Sequence, residues 1–502
     1  MKRQIAIPRQ RSLVSPEIQN PFVHKIHLNL LQKLQVVFMS VFVVPVRLLL
    51  IFLCLIIAWM LAKASLAFRS KEDHAKPLTG RRKSLQCSIM FLGRAIAFFS
   101  GFHNIKVKGE PAVSNIAPVV VCAPHSSFMD AFVIFYCSMI PSGVSKKENS
   151  ALPILGSLIE YTQPLYVQRE DPNSRKNIIK EMTKRAKTMG EWPPIIIFPE
   201  GTCTNRSCLI GFKQGAFYPG VPVQPVCIRY PNSLDTVTWT WEGPGAFTCL
   251  WLSLCQFHNR MEIEFLPVYN PSEEEIQDPT LYAANVRDKM AECLGIPVTD
   301  HTYDDVRLMQ KAGKLNLPKT AGLIEFQKLN SKLGLKFDHI NELLDKFSSI
   351  PAKESGSITL GEFAAYLNVP VSPALEEIFS MYDRNGSETI DFREYIIGLS
   401  LISEPVNTED TLRLAFQLFD DDNKGYITQE ELTEILLNAF GMEEVDVEKL
   451  FHKVDTNKDN KITYDEFKSY AEQKPEYAKL FMTYQELKKS QNTNACLDNH
   501  LS

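Results

Sequence analysis

A chain of 502 residues has room for about two to four ordinary domains rather than one. Its 54 basic and 58 acidic residues give a net charge of −4, which gives no support to a general nucleic-acid binder with its basic domain or stripe. With 45% hydrophobic and 22% charged residues, and only 23 glycines, it is neither disordered throughout nor a fibrous or low-complexity repeat.

Residues 1–33, expected on the cytosolic side, precede an apolar run from Leu34 to Ala62 whose only charge is Arg47. About 20 apolar residues suffice to cross a bilayer, and this run starts too late and is too long for a cleaved signal peptide. It reads either as one tilted span or as a re-entrant hairpin. The hairpin would break around Pro45, which lacks a backbone donor, and Arg47, which is costly in hydrocarbon. A basic linker, 63–83, carries Lys63, Arg69, Lys71, Lys76, Arg81, Arg82 and Lys83, a pattern that keeps the following domain in the cytosol and suits anionic lipid.

From 84 to 316, short apolar runs alternate with helical stretches. Ala117–Cys122, Pro194–Phe198 and Val223–Arg229 predict buried strands, and Ser174–Met189 predicts an amphipathic helix, which together make an α/β domain. Cys87–Phe102 and Gly245–Phe257 are longer than a core strand needs and belong in the core or against a membrane. The eleven cysteines include no Cys-x-x-Cys pair, so a zinc knuckle is excluded and reduced, mostly buried thiols are expected.

The chemistry-bearing residues lie in this α/β region. His125 and Asp130 stand in APHSSFMD, immediately after a predicted strand. In a continuous helix, five steps of about 100° would leave their side chains about 140° apart, so they meet only through a turn or a helix cap. An aspartate bound to one ring nitrogen leaves the other available as a base. Arg169, in YVQR, has the shape to hold a phosphate bidentately. Glu200, Gly201 and Thr202 follow the strand PIIIF within FPEGTCTNR, where Gly201 and Thr202 offer backbone and hydroxyl donors to the same group. Lys213 reads as a structural or surface charge, and Val221–Val226 (VPVQPV) completes the series. Ser126 and Ser127 flank the histidine, but no Gly-x-Ser-x-Gly elbow presents a serine nucleophile.

From 320 to 480 a helical unit recurs. Ile358, Ile390, Ile427 and Ile462 are spaced by 32, 37 and 35 residues, and each stands four residues before Glu362, Glu394, Glu431 or Glu466. Phe347, Phe379, Phe416 and Phe451 stand fifteen residues before those glutamates, which is the register of EF-hands and makes calcium the expected ion. Loop Asp383–Glu394 offers Asp383, Asn385, Ser387, the Thr389 carbonyl, Asp391 and Glu394, but places Glu388 where glycine usually permits the turn. Loop Asp420–Glu431 offers Asp420, Asp422, the Tyr426 carbonyl and Glu431, but its fifth position is Lys424, which cannot coordinate a cation. Loop Asp455–Glu466 offers Asp455, Asn457, Asp459, the Lys461 carbonyl and Glu466, with Asn460 able to take the left-handed turn. Loop Pro351–Glu362 lacks its first ligands and is expected to be metal-free, and the polar tail, 481–502, is assigned no fold.

The His-x4-Asp, arginine-bearing, Glu-Gly-Thr and proline-containing blocks, in this order, resemble the glycerolipid acyltransferases of the acylglycerol-phosphate acyltransferase family. Glu-Gly-Thr-Cys combined with C-terminal EF-hands is most similar to the lysophosphatidylcholine acyltransferases. The resemblance implies an α/β acyltransferase domain with an N-terminal membrane hairpin, followed by an all-α EF-hand domain. It implies transfer from acyl-CoA to the free hydroxyl of a lysophospholipid, either lysophosphatidylcholine or lyso-platelet-activating factor. His125 would be the base, Asp130 its support, and Arg169, Glu200, Gly201 and Thr202 the holders of phosphate or headgroup, with no covalent enzyme intermediate. Met129 departs from the family pattern, where an aromatic is common. Two alternatives stay open: a membrane-tethered calcium sensor with a silent lipid-binding domain, and an acyltransferase for lysophosphatidic acid.

Sequons at Asn205 and Asn385 fall inside the third block and a calcium loop, where a glycan would disable either site. With acyl-CoA and calcium sensing both cytosolic, the expected arrangement is a hairpin with all domains facing the cytosol. The resemblance suggests the endoplasmic reticulum, with lipid droplets or Golgi as further locations.

Overall fold

The structure, a computed structural model, describes residues 20–67, 76–167, 174–188, 190–350, 355–383, 385–406, 412, 413, 416, 420, 424–440 and 444–473. Arg169, Asp422, the start of the first EF-hand loop, most of the lead segment, the middle of the basic linker and the polar tail lie outside the described residues. The chain divides into two compact units at Tyr303/Asp304.

The first unit opens with helices α1 (Leu30–Phe42), α2 (Val44–Leu66) and α3 (Gln86–Phe99). The strands β1 (Ile105–Lys108), β2 (Val119–Ala123), β3 (Val144–Lys146), β4 (Leu165–Val167), β5 (Ile195–Ile197), β6 (Val223–Arg229) and β7 (Met261–Phe265) then interleave with α4 (Leu155–Tyr161), α5 (Ser174–Ala186), α6 (Ala246–Leu254) and α7 (Pro279–Leu294). Five strands form one sheet in the order β1-β7-β6-β2-β5. All its pairings are parallel except β6 with β7. β2 is buried along its whole length, which is why it reads as the unbroken apolar run VVVCA rather than an alternating one. Val120 and Cys122 face one core with Ala97, Phe102, Met129 and Val133, while Val119 and Val121 face another with Tyr282, Val286 and Met290 of α7.

The apolar run near the N-terminus divides at Val43, not at Arg47. An Asn29–Gln32 capping box starts α1, and Pro45 occupies the first turn of α2, where its missing N–H costs nothing. With 23 residues, α2 is long and apolar enough to cross a membrane. The 13 residues of α1 extend only about 20 Å, short of the roughly 30 Å hydrocarbon layer, so a membrane hairpin is not established. Arg47 is buried against protein: its guanidinium donates to the carbonyls of Leu254 at 2.6 Å and Gln256 at 2.7 Å, closing the C-terminal end of α6. The long apolar segments 87–102 and 245–257 fold mainly as α3 and α6, which leave Phe91, Phe98, Phe247 and Trp251 exposed.

The second unit contains α8 (Phe337–Ser349), β8 (Ser357–Thr359), α9 (Leu360–Leu367), α10 (Pro373–Tyr382), β9 (Thr389–Asp391) and α11 (Phe392–Val406). It continues with β10 (Tyr426–Ile427), α12 (Gln429–Phe440), α13 (Glu444–Val454), β11 (Ile462–Thr463) and α14 (Tyr464–Gln473). The repeated isoleucines join the loops two by two, Ile358 opposite Ile390 and Ile427 opposite Ile462. The repeated phenylalanines Phe347, Phe379, Phe416 and Phe451 are all buried in its core. The described cysteines are free thiols.

Candidate active site

Strands β6, β2 and β5 run parallel and adjacent, so their carboxyl ends open on one edge of the sheet, where α/β folds place ligands. His125 stands just beyond β2, Glu200 just beyond β5 and Tyr230 directly after β6. The chain thereby assembles one site from three segments distant in sequence.

His125 and Asp130 meet through a helix cap. Ser127 caps the 3₁₀ helix Phe128–Phe135, and Asp130, its third residue, turns back over the helix start in a capping box. Asp130 is fully buried, and its Oδ2 accepts from the amides of Ser126 at 2.7 Å and Ser127 at 2.9 Å. The same oxygen lies 2.8 Å from His125 Nδ1, and Oδ1 accepts the Tyr230 hydroxyl at 2.7 Å. Phe198 stacks on the imidazole with ring centroids 4.5 Å apart. Burial opposes a charged ring, but the hydrogen bond its Nδ1–H donates to Asp130, reinforced by Cys203 and by the Asp130 charge, holds the His125 imidazolium up to about 10.

Glu200 is turned inward. Its carboxylate accepts the His125 amide at 2.5 Å and the Ile210 amide at 3.3 Å, so both oxygens fix backbone. Burial raises its carboxyl to about 7, with the His125 amide and ring pulling the other way. This placement differs from the expected contact with a headgroup: Glu200 holds the segment on which His125 rides. Gly201 has φ of +66°, and a Cβ there would lie 2.4 Å from Lys213 Nζ, so the backbone and that ammonium approach as closely as only glycine permits. Thr202 is buried, and its hydroxyl accepts from the Trp241 indole at 2.7 Å. The VPVQPV block lies largely in β6, where Gln224 bonds the backbone of Glu110, Ala112 and Leu266. Ser126 and Ser127 are buried, and their amides serve Asp130.

Sequence reasoning missed two residues of this site, Arg206 and Tyr230. Arg206 donates to Ser126 Oγ at 3.0 Å, pairs with Asp235 at 2.5 Å and lies over the Tyr230 ring at 5.2 Å. The one signal for Tyr230 was its position directly after the predicted strand Val223–Arg229, without any sign that this strand lies beside β2. An apolar cavity of about 300 Å³ lies between α2, α3, the 3₁₀ helix and α4, lined by Leu55, Ile89, Gly93, Phe135, Ile140 and Leu158.

In the second unit, the loop carboxylates bind their own backbone. Asp383 accepts from the amides of Gly386, Ser387 and Glu388, and Asp455 from those of Asp459 and Asn460. Glu388 and Asn460 both adopt the left-handed conformation usual for glycine, with φ of +61° and +58°. Burial, with the neighbouring charges of Asp391 and Asp383, raises the Glu394 carboxyl to about 7, the signature of acidic oxygens gathered without a counter-charge. Loop Asp420–Glu431 differs: Lys424 Nζ reaches Glu431 Oε1 at 2.5 Å and supplies that charge itself. Burial alone would raise Glu431, but bonds from Lys424 and Thr428 bring it below the usual carboxylate range. Among the described residues, no group of three His, Cys, Asp or Glu side chains forms a ready-made metal centre. Oxygen donors, left-handed turns and the raised Glu394 nevertheless fit a divalent cation in the second and fourth loops.

A histidine oriented by a buried aspartate beyond an interior strand of a largely parallel sheet is the equipment of an acyltransferase. The profile of the acyltransferase family matches residues 104–229, and that of the EF-hand domain pair matches residues 409–472. The chain is 48% identical to human lysophosphatidylcholine acyltransferase 2 over 96% of this chain and 88% of that one. It is 48% identical to the zebrafish protein of the same name, covering 97% and 92%, and 47% identical to mouse lysophosphatidylcholine acyltransferase 1, covering 93% and 88%. The chain belongs to the lysophosphatidylcholine acyltransferase family and is an acyltransferase with an EF-hand domain.

Proposed function

We propose that this protein transfers a fatty acyl group from acyl-CoA to the free hydroxyl of lysophosphatidylcholine on the cytosolic side of the endoplasmic reticulum membrane. The observation that carries this reading is the bond of fully buried Asp130 to His125 Nδ1, which leaves Nε2 to act on a hydroxyl. His125 takes the proton of the lysophospholipid hydroxyl, and Asp130 steadies the imidazolium. The oxygen attacks the thioester carbonyl, the new ester C–O bond forms, and the C–S bond breaks. CoA leaves as a thiolate and recovers the proton from His125. Glu200 keeps the histidine backbone in place, Gly201 and Thr202 shape the adjoining edge, and Arg169 would hold a phosphate.

The apolar cavity beside α2 is the place for the acyl chain, since its walls offer little but hydrocarbon. The domain limits proposed are 84–316 for acyl transfer and 320–480 for the hands. Calcium would be held by Asp383, Asn385, Ser387, Thr389, Asp391 and Glu394 and by Asp455, Asn457, Asp459, Lys461 and Glu466, where it neutralises clustered oxygens. Cytosolic placement is supported at Asn205, whose side-chain amide donates to the carbonyls of Asn20 and Val23 and so is engaged within the fold.

The test is a panel of lysophospholipids differing in headgroup, each offered long-chain acyl-CoA or acetyl-CoA with membranes containing the protein. Fastest transfer to lysophosphatidylcholine is expected. Preference for lysophosphatidic acid would replace the substrate assignment, and silence across the panel with calcium binding retained would favour a sensor.

A further inference from the structure

We infer that Tyr230 is a positioning residue for the proposed acyl transfer: its hydroxyl fixes the Asp130 carboxylate and limits how strongly that carboxylate holds a proton on His125. The inference rests on the reading of His125 as base. Asp130 has two oxygens with unequal duties. Oδ2 serves the His125 ring and two amides, whereas Oδ1 accepts the Tyr230 hydroxyl at 2.7 Å. Asp130 is wholly buried, so no solvent can replace that donor.

Tyr230 is itself held firmly. It follows directly on β6, the neighbour of β2, and its ring is buried edge-on to Phe102 at 6.2 Å. The Arg206 guanidinium lies 5.2 Å from the ring centroid and is anchored by Asp235 and by Ser126 Oγ. A cation over the ring face makes the phenol a stronger donor to the carboxylate. This chain of contacts joins the Glu-Gly-Thr segment, the end of β6 that Tyr230 follows and the His-x4-Asp turn around one buried anion.

The direction of the effect follows from charge. A carboxylate deprived of one donor is less stabilised as an anion and pulls harder on the imidazolium proton. His125 is then protonated over a wider pH range, and less of the base form exists near neutrality.

The experiment is Tyr230→Phe in the full-length protein in membranes, with pH profiles of kcat and kcat/KM and thermal unfolding of the purified protein. Expected are a fall in kcat of about tenfold or more, an acidic limb moved to higher pH, and KM for acyl-CoA little changed. A fall in activity with an unmoved acidic limb would overturn the inference, as would unchanged kcat. If Tyr230→Phe is poorly folded, Arg206→Gln takes its place: with the cation gone from the ring face the acidic limb should again move to higher pH, and an unmoved limb would contradict the role. Where Tyr230→Phe folds, its double variant with Asp130→Asn is a second check. Acting through Asp130, Tyr230→Phe should remove little further activity in that background, whereas independent, multiplying losses would contradict the role. Inactivity of the wild-type protein on every acceptor would instead remove the function on which this inference stands.

Discussion

His125 gains its character from what surrounds it, and its pH behaviour follows. The Asp130 bond holds the imidazolium up to about 10 against the opposing effect of burial. A base whose conjugate acid is stabilised this way appears only as the pH rises. In the substrate-free enzyme, kcat/KM should therefore climb between pH 7 and 9, with its acidic limb well above histidine's ordinary value of about 6.5. The same shift contributes stability that is fully present below about 6.5 and lost as the pH rises through about 10. A limb at or below 6.5 would show that the pair does not hold the proton. Asp130→Asn should lower kcat by about 10²–10⁴-fold with modest change in KM, as read from initial rates. The meeting of His125 and Asp130 was legible as a condition, since the helix period allows it only through a turn or a helix cap, and the structure uses the cap. Tyr230 and Arg206 were not legible, since nothing in the order of residues states which strand lies beside β2. Glu200 was legible as a member of the site, but the direction of its side chain was not.

Elements carry the next set of constraints. Arg47 looked expensive in an apolar run, yet its guanidinium caps the carbonyls of Leu254 and Gln256 at the end of α6 and ties α2 to the α/β core. Arg47→Leu should lower stability by roughly 1–3 kcal/mol through the acceptors left unpaired, visible as a reduced unfolding temperature in detergent. At Gly93, an added Cβ would lie 2.3 Å from the Phe135 ring, so Gly93→Leu must displace that ring into the apolar cavity. A shift in preference toward shorter acyl-CoA is expected, and an unaltered chain-length profile would remove the cavity from acyl binding. In the hands, repeat spacing marked Ile427 and Ile462 as equivalent positions, and the structure sets them opposite each other. Spacing also showed that Lys424 removes a ligand, but not that its ammonium closes on Glu431. Lys424→Asp should add one calcium to the stoichiometry measured by calorimetry, and no change would mean that the loop is silent for another reason.

On the scale of the whole molecule, fold class and order of parts were open to reading because α/β alternation and the EF-hand repeat have distinct periods. The membrane arrangement was less open. Pro45 and Arg47 both suggested a break, and the run does divide at Val43, but a proline at a helix start and an arginine sheltered by protein do not by themselves establish a membrane hairpin. The enzymatic reading joins these scales through a single proton on His125. It is tested most directly by release of CoA from long-chain acyl-CoA in the presence of lysophosphatidylcholine, comparing membranes that hold equal amounts of wild type and His125→Ala. Transfer by the wild type with no acceptor-dependent release from the variant is the expected result. Equal release from both would contradict His125 as the base and the site built around it.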